Sequence, residues 1–475
     1  MSGKHIHLIG ICGTAMASLA GMLQQRGHQV TGSDAAAYPP MSDFLVQLGI
    51  PVRQPFAAGN LEPRPDLVIV GNAISRGNPE IEQVLDARIP LRSLPQVLYE
   101  EFLAGREPIA VAGTHGKTTT ASLLSWIFHA CGRDPSFLVG GIAENFGSSF
   151  RLGSGPQFIV EADEYDTAFF DKGPKFLHYF PAAVLLTSVE FDHGDIYRDL
   201  EAVKTAFQRL VNLVPRRGRI VAWDGGDQPD RKVNLDECLA RAFCSVERYG
   251  LREGSAWRIT DVHFAPASTA WTVLREGKRW QDFEFSLAGE YNVLNATAAA
   301  AMAAACGIGG REIAAALRGF RGVKRRLEVR GEIGGITIID DFAHHPTAIG
   351  ETLKALRARY PGRRLWAVLE PRSNTLARNI FQQELGESLA LADEVVIADV
   401  YRAAKYSDAE RLNVDAVVAA LNQSGCRARH LPDADAIVPA IVPELRSGDV
   451  VVLLSNGGFG GIYEKLPKAL LVASS

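Results

Sequence analysis

Short apolar runs alternate along the chain with amphipathic segments of about 10 to 15 residues, the lengths typical of buried strands and the helices that cover them. Such alternation predicts parallel β-sheets flanked by helices. In the first segment the predicted strands are HIHLIGI, QVTGSD, DLVIVGN and IPLRS. This segment ends near the polar, glycine-containing stretch LAGREP, which we interpret as a linker.

Two further segments repeat this alternation. The second begins with the strand Ile109–Ala112, continues through QFIVEAD, AAVLLTSVE, GRIVAWD and the tryptophan-bearing stretch 257–285, and closes with an alanine-rich helix from Asn292 to Cys306. The third opens with a predicted hairpin, RLEVRGEIGGITIIDD, followed by the strands RLWAVLEP, DEVVIADV and DVVVLLS. The pattern therefore predicts an α/β protein of three domains, at residues 1–105, 106–322 and 323–475.

Composition narrows the class of protein. The chain has 475 residues, of which 47% are hydrophobic and 22% charged, and its net charge of −4 gives no electrostatic reason to expect nucleic acid or an anionic membrane as a partner. No apolar run approaches the ~20 residues that span a bilayer, and a strand within four residues of the N-terminus leaves no room for a signal peptide. The six cysteines form no CxxC pair. We expect a cytoplasmic protein with no obligate protein partner.

The first strand runs into the turn Gly10-Ile11-Cys12-Gly13-Thr14-Ala15-Met16, and a second strand ends at Asp34. This arrangement is close to the dinucleotide-binding fingerprint G-x-G-x-x-G, in which glycines let the backbone approach a pyrophosphate. However, Cys12 and Ala15 stand where that fingerprint has its second and third glycines. The turn therefore predicts a diphosphate-binding device, with either a nicotinamide cofactor or another diphosphate as its ligand.

The strongest local signal is VAGTHGKTTT, residues 111–120, between a strand and a helix. Gly113 and Gly116 would let amide groups turn toward phosphate oxygens, Lys117 would reach the terminal phosphates, and the Thr118 hydroxyl would bind Mg²⁺. The first glycine of the full phosphate-loop pattern is Val111 here. A glycine-rich turn with an incidental lysine is the alternative. We interpret His115 as a turn residue that fills space.

Two acidic clusters follow this loop at the ends of predicted strands. IVEADEYD carries Glu161, Asp163, Glu164 and Asp166, and LLTSVEFDHGD carries Glu190, Asp192, His193 and Asp195. Because ligands of parallel sheets bind at the carboxyl ends of the strands, these groups are candidates to hold Mg²⁺ beside a nucleotide. Solvated loop acids are the alternative.

Two later motifs are also candidates. EYNVLNATAA places Asn292 and Asn295 at a helix start, where their amides would either cap the helix or contact an adenine edge. IIDDFAHHPTA ends a strand with Asp341 and His344, either as ribose-binding groups or as a turn fixed by proline. Arg325 and Arg326 would either be solvated or reach over phosphates.

Together these motifs resemble the Mur ligase family of ATP-dependent, amide-forming enzymes, over essentially the whole chain. The resemblance implies a UDP-binding Rossmann-like first domain, a central ATPase-like domain with the phosphate loop and a Rossmann-like third domain. It implies ATP and Mg²⁺ as cofactors, with catalytic Lys117, Glu161, His193 and Arg326, and with Thr118, Glu161 and His193 as metal ligands. The implied ATP contacts are Gly113, Thr114, His115, Gly116, Lys117, Thr118, Thr119, Asn292, Asn295, Arg326, Asp341 and His344. Some members carry a carboxylated lysine near the metals, for which Lys204 is the nearest candidate.

Within the family, GSDAAAYPPMSDFL, GNAISRGNPEI and IPLRSLPQVL resemble the pocket of members that use UDP-N-acetylmuramate. VLEPRSNT and LLSNGGFGG resemble those that add the murein tripeptide L-alanyl-γ-D-glutamyl-meso-diaminopimelate. The implied substrate contacts are Gly10, Cys12, Gly13, Thr14, Ala15, Met16, Ser33, Asp34, Ser75, Asn78 and Arg92 in the first domain, and Arg372, Ser373, Asn374, Ser455 and Asn456 in the third. A tripeptide with several carboxylates also needs more anion-binding groups than alanine does.

Three alternatives remain open from the sequence. The first is the member of the same family that adds L-alanine to UDP-N-acetylmuramate. The second is an NAD-dependent oxidoreductase built on the first domain, which an intact G-x-G-x-x-G would favour. The third is a non-catalytic nucleotide-binding regulator, which would leave both acidic clusters without a role.

Overall fold

A computed structural model describes residues 3–37 and 41–473, and it contains three large sheets that follow one another along the chain and one two-stranded sheet. The first sheet is parallel, in the order β3-β2-β1-β4-β5. Its strands are β1 (His5–Ile9), β2 (Gln29–Ser33), β3 (Val52–Arg53), β4 (Leu67–Val70) and β5 (Leu91–Ser93). Its helices are α1 (Thr14–Gln25), α2 (Met41–Gln47), α3 (Pro79–Asp86) and α4 (Leu94–Leu98).

The second sheet has ten strands, and its central part is parallel. The segment contains β6 (Glu107–Ala112), β7 (Ser136–Ala143), β8 (Ser148–Arg151), β9 (Gln157–Ala162), β10 (Asp166–Ala168), β11 (Asp171–Pro174), β12 (Ala183–Leu186), β13 (Arg219–Trp223), β14 (Ser245–Gly250), β15 (Trp257–Phe264), β16 (Thr269–Arg275) and β17 (Lys278–Phe285). β10 and β11 form a separate hairpin. The helices are α5 (Lys117–Ala130), α6 (Leu200–Leu213), α7 (Pro229–Leu239), α8 (Glu290–Ala305) and α9 (Gly310–Arg318).

The third sheet has the order β18-β19-β23-β20-β21-β22, parallel except for the hairpin β18–β19 that the sequence predicted. Its strands are β18 (Glu328–Ile333), β19 (Ile336–Asp341), β20 (Leu365–Leu369), β21 (Glu394–Ile397), β22 (Arg427–His430) and β23 (Val450–Leu454). Its helices are α10 (Pro346–Arg359), α11 (Gln382–Leu389), α12 (Val414–Gln423), α13 (Ala434–Ile441) and α14 (Ile462–Ala473). The predicted domain limits at residues 105 and 322 fall in the intervals between the sheets.

The register of the second sheet determines where the functional side chains meet. Val111 of β6 pairs with Glu161 of β9 on one side and with Leu185 of β12 on the other. The chain therefore leaves β6, β9 and β12 at the same edge of the sheet, which brings the glycine-rich loop and both acidic motifs together. Below that edge, α5 packs against α8, whose buried alanines allow the two helices to approach closely.

The domains pack directly on one another. A Cβ at Gly21 of α1 would lie 2.8 Å from the ring of Phe150 in β8, so the absence of a side chain there lets the first domain approach the second. On the other side, the Thr375 hydroxyl of the third domain donates to the Asp192 carboxylate of the second at 2.7 Å. Within residues 3–37 and 41–473, no helix combines the length and apolar character that a bilayer span requires.

Candidate active site

The loop between β6 and α5 adopts the strand–loop–helix form that the sequence predicts. Gly113 and Gly116 have φ of +131° and +81°, values that side chains strongly disfavour. The Thr114 amide donates to the Ser188 carbonyl at 3.0 Å, so the end of β12 holds the loop in place. Since α5 begins at Lys117, the loop lies at the N-terminus of a helix, where amide groups and the helix dipole favour an anion.

We expect Gly113→Ala to lower the free energy of unfolding by about 3 kcal/mol and to weaken ATP binding. A Cβ at this position would meet the Ser188 amide nitrogen at 2.7 Å and the Thr187 hydroxyl, in addition to the unfavourable φ. Urea unfolding and nucleotide titration measure the two effects. The matched control is Gly386→Ala in α11, where the added Cβ meets nothing within 4 Å. Equal stability and equal ATP affinity of the Gly113 variant and the wild type would contradict the assignment.

Lys117 lies in the loop beside the first acidic motif. Its ammonium donates to the Glu164 carboxylate at 2.7 Å, and the Glu164 side chain is almost fully buried. Burial opposes the charge on Lys117, but the carboxylates of Glu164 and Asp163 outweigh burial and hold the pKa of Lys117 above its usual value. The ammonium is therefore charged at neutral pH and available to an anion.

Thr118 and Glu161, two of the metal ligands implied by the sequence, are in contact. The Thr118 hydroxyl donates to Glu161 Oε1 at 2.9 Å, and the Gly140 amide donates to Glu161 Oε2 at 2.6 Å. The carboxylate is thereby fixed between the loop on one side and β7 on the other. Hydroxyl and carboxylate oxygens are the donors that Mg²⁺ prefers, so this pair fits the ion.

His193 belongs to a neighbouring cluster in which ligand atoms of Asp163, Glu164 and His193 lie within 4.8 Å of one another. Burial opposes protonation of His193, but its hydrogen bond with Glu164 and the charges of Asp192 and Glu164 raise its pKa to about 9. A cationic imidazole among carboxylates marks a position where positive charge is favoured. Asp163 and Glu164 belong to the first acidic motif, IVEADEYD, and the sequence pattern assigned neither of them a specific role.

A side cavity lies next to the loop, between the start of α8 and the third domain. It is lined by Gly116, Thr118, Thr119, Trp223, Tyr291, Asn292, Asn295, Arg326, Asp341, Thr347 and Glu351, among others. The Asn292 amide donates to the Ala288 carbonyl at 2.8 Å, whereas the helix N-cap is Gly289. Asn292 therefore does not cap the helix, and its carbonyl oxygen lies 3.5 Å from the Asn295 amide. The ring of Tyr291 adds an aromatic wall that sequence reasoning missed.

The structure distinguishes the two adjacent arginines before β18. Arg325 is occupied inside the third domain, since its guanidinium donates to the Asp340 carboxylate and to the Tyr463 hydroxyl. Arg326 lines both the side cavity and a second, central cavity, and its guanidinium lies 5.0 Å from the centre of the Phe342 ring. Of the two, Arg326 is therefore the arginine available to a ligand.

The end of β19 and the turn that follows it contribute an acid, Asp341, and two histidines. Asp341 is buried, and its carboxylate accepts from the Leu327 amide at 2.7 Å and from the Ala343 amide at 2.8 Å. His344 lines the central cavity, and burial lowers its pKa. The ring of His345 lies 4.7 Å from the ring of His115 across the domain boundary. Through this polar contact the third domain reaches the phosphate loop.

The central cavity joins all three domains. Ala15 and Leu94 come from the first domain, Lys117 and His193 from the second, and Asn456 from the third. The side-chain amide oxygen Oδ1 of Asn456 is buried and has no hydrogen-bond partner among the described residues. A hydrogen-bond donor of a ligand in this cavity would pair this oxygen.

The other predicted substrate contacts of the first domain are distributed more widely. The Cys12 amide of the glycine turn donates to the Asp34 carboxylate at 2.9 Å, and Met16 is buried in the core. The Asn78 side chain caps α3, and the Arg92 guanidinium donates to Glu100 at 3.1 Å. Gly10, Gly13, Ser33 and Ser75 lie on the turns or strand ends of this sheet, and Thr14 begins α1. The Ser33 hydroxyl donates to the Glu80 carboxylate. Residues 38–40 of the GSDAAAYPPMSDFL stretch lie outside the described chain.

In the third domain, the predicted peptide contacts differ in availability. The guanidinium carbon of Arg372 lies 3.7 Å from the centre of the Tyr401 ring. Ser455 is fully buried and its hydroxyl donates to the Glu370 carboxylate at 2.5 Å, so this hydroxyl is not presented to a ligand in this structure. The Ser373 hydroxyl donates to the His344 carbonyl, and the Asn374 amide donates to Asp195 of the second domain.

Lys204 lies apart from the acidic cluster. Its ammonium pairs with the carboxylates of Glu201 and Glu237 on the helices α6 and α7. The nearest candidate for a carboxylated lysine is therefore engaged elsewhere. The cluster is contacted instead by Lys117 of the phosphate loop and by Lys175, whose ammonium lies 2.8 Å from the Asp163 carboxylate. The only sequence signal for Lys175 was its place between the two acidic motifs.

Comparison with known proteins agrees with this architecture. Residues 5–105 match the model of the Mur ligase family catalytic domain, residues 111–303 match the Mur ligase middle domain, and residues 325–457 match the glutamate ligase domain of Mur ligases. Fold and site define the class as a three-domain ligase built around a phosphate loop. The chain belongs to the Mur ligase family.

Three relatives are informative. The UDP-N-acetylmuramate–L-alanyl-γ-D-glutamyl-meso-2,6-diaminoheptandioate ligase of Escherichia coli is 44% identical over 97% of both chains. The UDP-N-acetylmuramate–L-alanine ligase of Desulfitobacterium hafniense is 32% identical over 97% of this chain and 98% of its own. The crystal structure of a murein peptide ligase from Psychrobacter arcticus superposes with a TM-score of 0.74 at 37% identity and covers 99% of both chains.

Proposed function

We propose that this protein uses ATP to join the carboxylate of UDP-N-acetylmuramate to the amine of L-alanyl-γ-D-glutamyl-meso-diaminopimelate. The observation that carries the choice of substrate is the identity of 44% to the tripeptide-adding enzyme, against 32% to an alanine-adding one, over nearly the same length. The central cavity supports the chemistry, because it joins side chains of all three domains beside a phosphate loop. The six free cysteines fit the reducing cytoplasm that we propose as its location.

In the first step, an oxygen of the muramate carboxylate attacks the γ-phosphorus of ATP. The bond from that phosphorus to the bridging oxygen breaks, ADP leaves, and an acyl phosphate forms on the muramate. The adenine would occupy the side cavity next to Tyr291 and Asn292, with the phosphates at the amides of residues 113–118. Lys117 and Arg326 would neutralise the charge that develops on the transferred group.

Thr118 and Glu161 would hold Mg²⁺, and His193 would join them once its imidazole has released its proton, with Asp163 and Glu164 beside His193. When bound, the ion supplies Lewis-acid neutralisation of the phosphate oxygens. The protein's own contribution is to fix these donors, as the Gly140 amide does for Glu161.

In the second step, the amine nitrogen of the tripeptide attacks the acyl carbon. The bond between that carbon and the phosphate oxygen breaks, inorganic phosphate leaves, and the nitrogen loses a proton. His344 is a suitable acceptor for this proton because burial lowers its pKa and keeps the imidazole neutral. Arg372 and Asn456 would bind the peptide from the third domain.

The proposal predicts a strong preference for the tripeptide over L-alanine. With UDP-N-acetylmuramate and Mg²⁺-ATP present, we expect kcat/KM measured by ADP release to be at least about a hundredfold higher for the tripeptide, since each charge-assisted contact to a peptide carboxylate adds about 1.5 to 3 kcal/mol. Mass spectrometry of the UDP-linked product identifies the bond formed. Faster turnover with free L-alanine would overturn the substrate assignment and favour the alanine-adding alternative.

A further inference from the structure

We propose that Lys175 binds the reacting carboxylate of the muramate substrate and guides it to the phosphate loop. This inference rests on the proposed function and assigns the residue that recognises one of its two substrates. No motif of the sequence pointed to Lys175, which lies in the stretch FFDKGPKF between the two acidic motifs.

The element that carries Lys175 is anchored to the first domain. Lys175 begins the short 3-10 helix Lys175–His178, which follows β11 and packs against α4. The preceding hairpin inserts Ala168 and Phe169 into a hydrophobic cluster of the first domain that includes Ile9 and Val70. Ile9 ends β1, which leads into the glycine turn, and Val70 ends its neighbour β4, so Lys175 is held in a fixed position relative to the predicted UDP-sugar site.

The ammonium of Lys175 faces the central cavity. It lies 2.8 Å from the Asp163 carboxylate and 5.5 Å from the centre of the Tyr165 ring, and its side chain is 15% exposed. Among the described residues that line this cavity, the lysines and arginines are Lys117, Lys175 and Arg326. Lys117 belongs to the phosphate loop and Arg326 comes from the third domain, so Lys175 is the ammonium associated with the first domain.

The proposed reaction requires a cation in this place. The muramate carboxylate and the γ-phosphate are both anions, and the attacking oxygen must come within about 3.5 Å of the phosphorus. A carboxylate that arrives from the first domain passes Ala15 and Leu94, which line the same cavity as Lys175. A charge-assisted hydrogen bond from Lys175 would offset the repulsion between the anions and orient the attacking oxygen.

A purely structural role, in which Lys175 only neutralises Asp163, makes a different prediction. Such an ion pair would be insensitive to whether the bound sugar nucleotide carries a carboxylate. UDP-N-acetylglucosamine has the same UDP and sugar but lacks the lactyl group that carries the carboxylate. Comparing the two nucleotides therefore isolates the contribution of that one group.

The test is calorimetric binding of both nucleotides to the full-length enzyme, with Mg²⁺ and a non-hydrolysable ATP analogue present. For Lys175→Met we expect the affinity for UDP-N-acetylmuramate to fall about 10- to 100-fold, while the affinity for UDP-N-acetylglucosamine changes less than about twofold. Lys175→Arg keeps a positive charge and should retain part of the preference. The unchanged affinity for UDP-N-acetylglucosamine also shows that the variant is folded.

The matched control is Lys172→Met in the β10–β11 hairpin that precedes Lys175. Lys172 is also paired with a carboxylate, that of Asp166 at 2.6 Å, but its side chain is 66% exposed and it does not line the central cavity. This variant should bind both nucleotides like the wild type. The inference is overturned if Lys175→Met keeps its preference for the muramate, or weakens both nucleotides equally. If the wild-type enzyme itself neither binds UDP-N-acetylmuramate nor forms the amide, the proposed function fails instead.

Discussion

Lys117→Met is expected to lower kcat for tripeptide ligation by at least about a thousandfold, because it removes a preorganised charge from the transferred phosphoryl group. The ammonium of Lys117 is already in place, 2.7 Å from Glu164, and a phosphate entering the loop would find it charged. Single-turnover formation of ADP from ATP, with UDP-N-acetylmuramate alone and then with the tripeptide added, measures the loss at each step.

The Lys117 variant also leaves Glu164 buried without its partner, so its stability must be measured separately. Lys117→Arg preserves the charge and serves as the second variant, while binding of UDP-N-acetylmuramate to the first domain shows that the fold is intact. Lys465→Met is the control, since it removes an exposed ammonium paired with Asp435 on the third domain. Undiminished product formation by Lys117→Met would disprove the phosphate-loop assignment.

Glu161→Gln is expected to lower kcat about a hundredfold and to raise the Mg²⁺ concentration for half-maximal activity at least about tenfold. The substitution keeps the shape of the side chain, because the amide oxygen still accepts from the Gly140 amide and the amide nitrogen can donate to the Thr118 hydroxyl. What is lost is the negative charge that a divalent cation requires. Activity measured against Mg²⁺ concentration, at saturating ATP, tests this expectation.

The control for Glu161 is Glu237→Gln, which alters a half-exposed carboxylate paired with Lys204 outside the cavities. Its Mg²⁺ dependence should equal that of the wild type. A Glu161→Gln enzyme with an unchanged Mg²⁺ dependence would remove Glu161 from the metal site and leave Asp163, Glu164 and His193 as the remaining candidates.

Several elements could be predicted because their causes are local. The phosphate loop depends on two glycines at positive φ and on a helix that begins at Lys117, all within eight contiguous residues. The hairpin β18–β19 follows from the turn residues Gly334-Gly335 next to the apolar strand β19. The alanine-rich helix α8 was likewise evident from its composition.

Other elements were missed because their sequences carry no clear period. The strand β11 reads DKGP and contains a proline, and the edge strand β22 reads RARH without an apolar face. Both form because neighbouring elements pair with them. The hairpin that precedes Lys175 is held by contacts with the first domain, which lie far away in the sequence.

The sequence by itself determined the three α/β domains, the glycine turn, the phosphate loop and the positions of the acidic motifs, because each depends on residues that are neighbours along the chain. The tertiary structure alone decided which side chains share a cavity. It left the side-chain oxygen of Asn456 unpaired and brought Lys175 to Asp163, and it placed Arg326, which the family resemblance had already implied, at the cavities while Arg325 pairs with Asp340. The physical reason is that these choices depend on packing between domains, and a linear pattern of residues does not encode which distant surfaces meet.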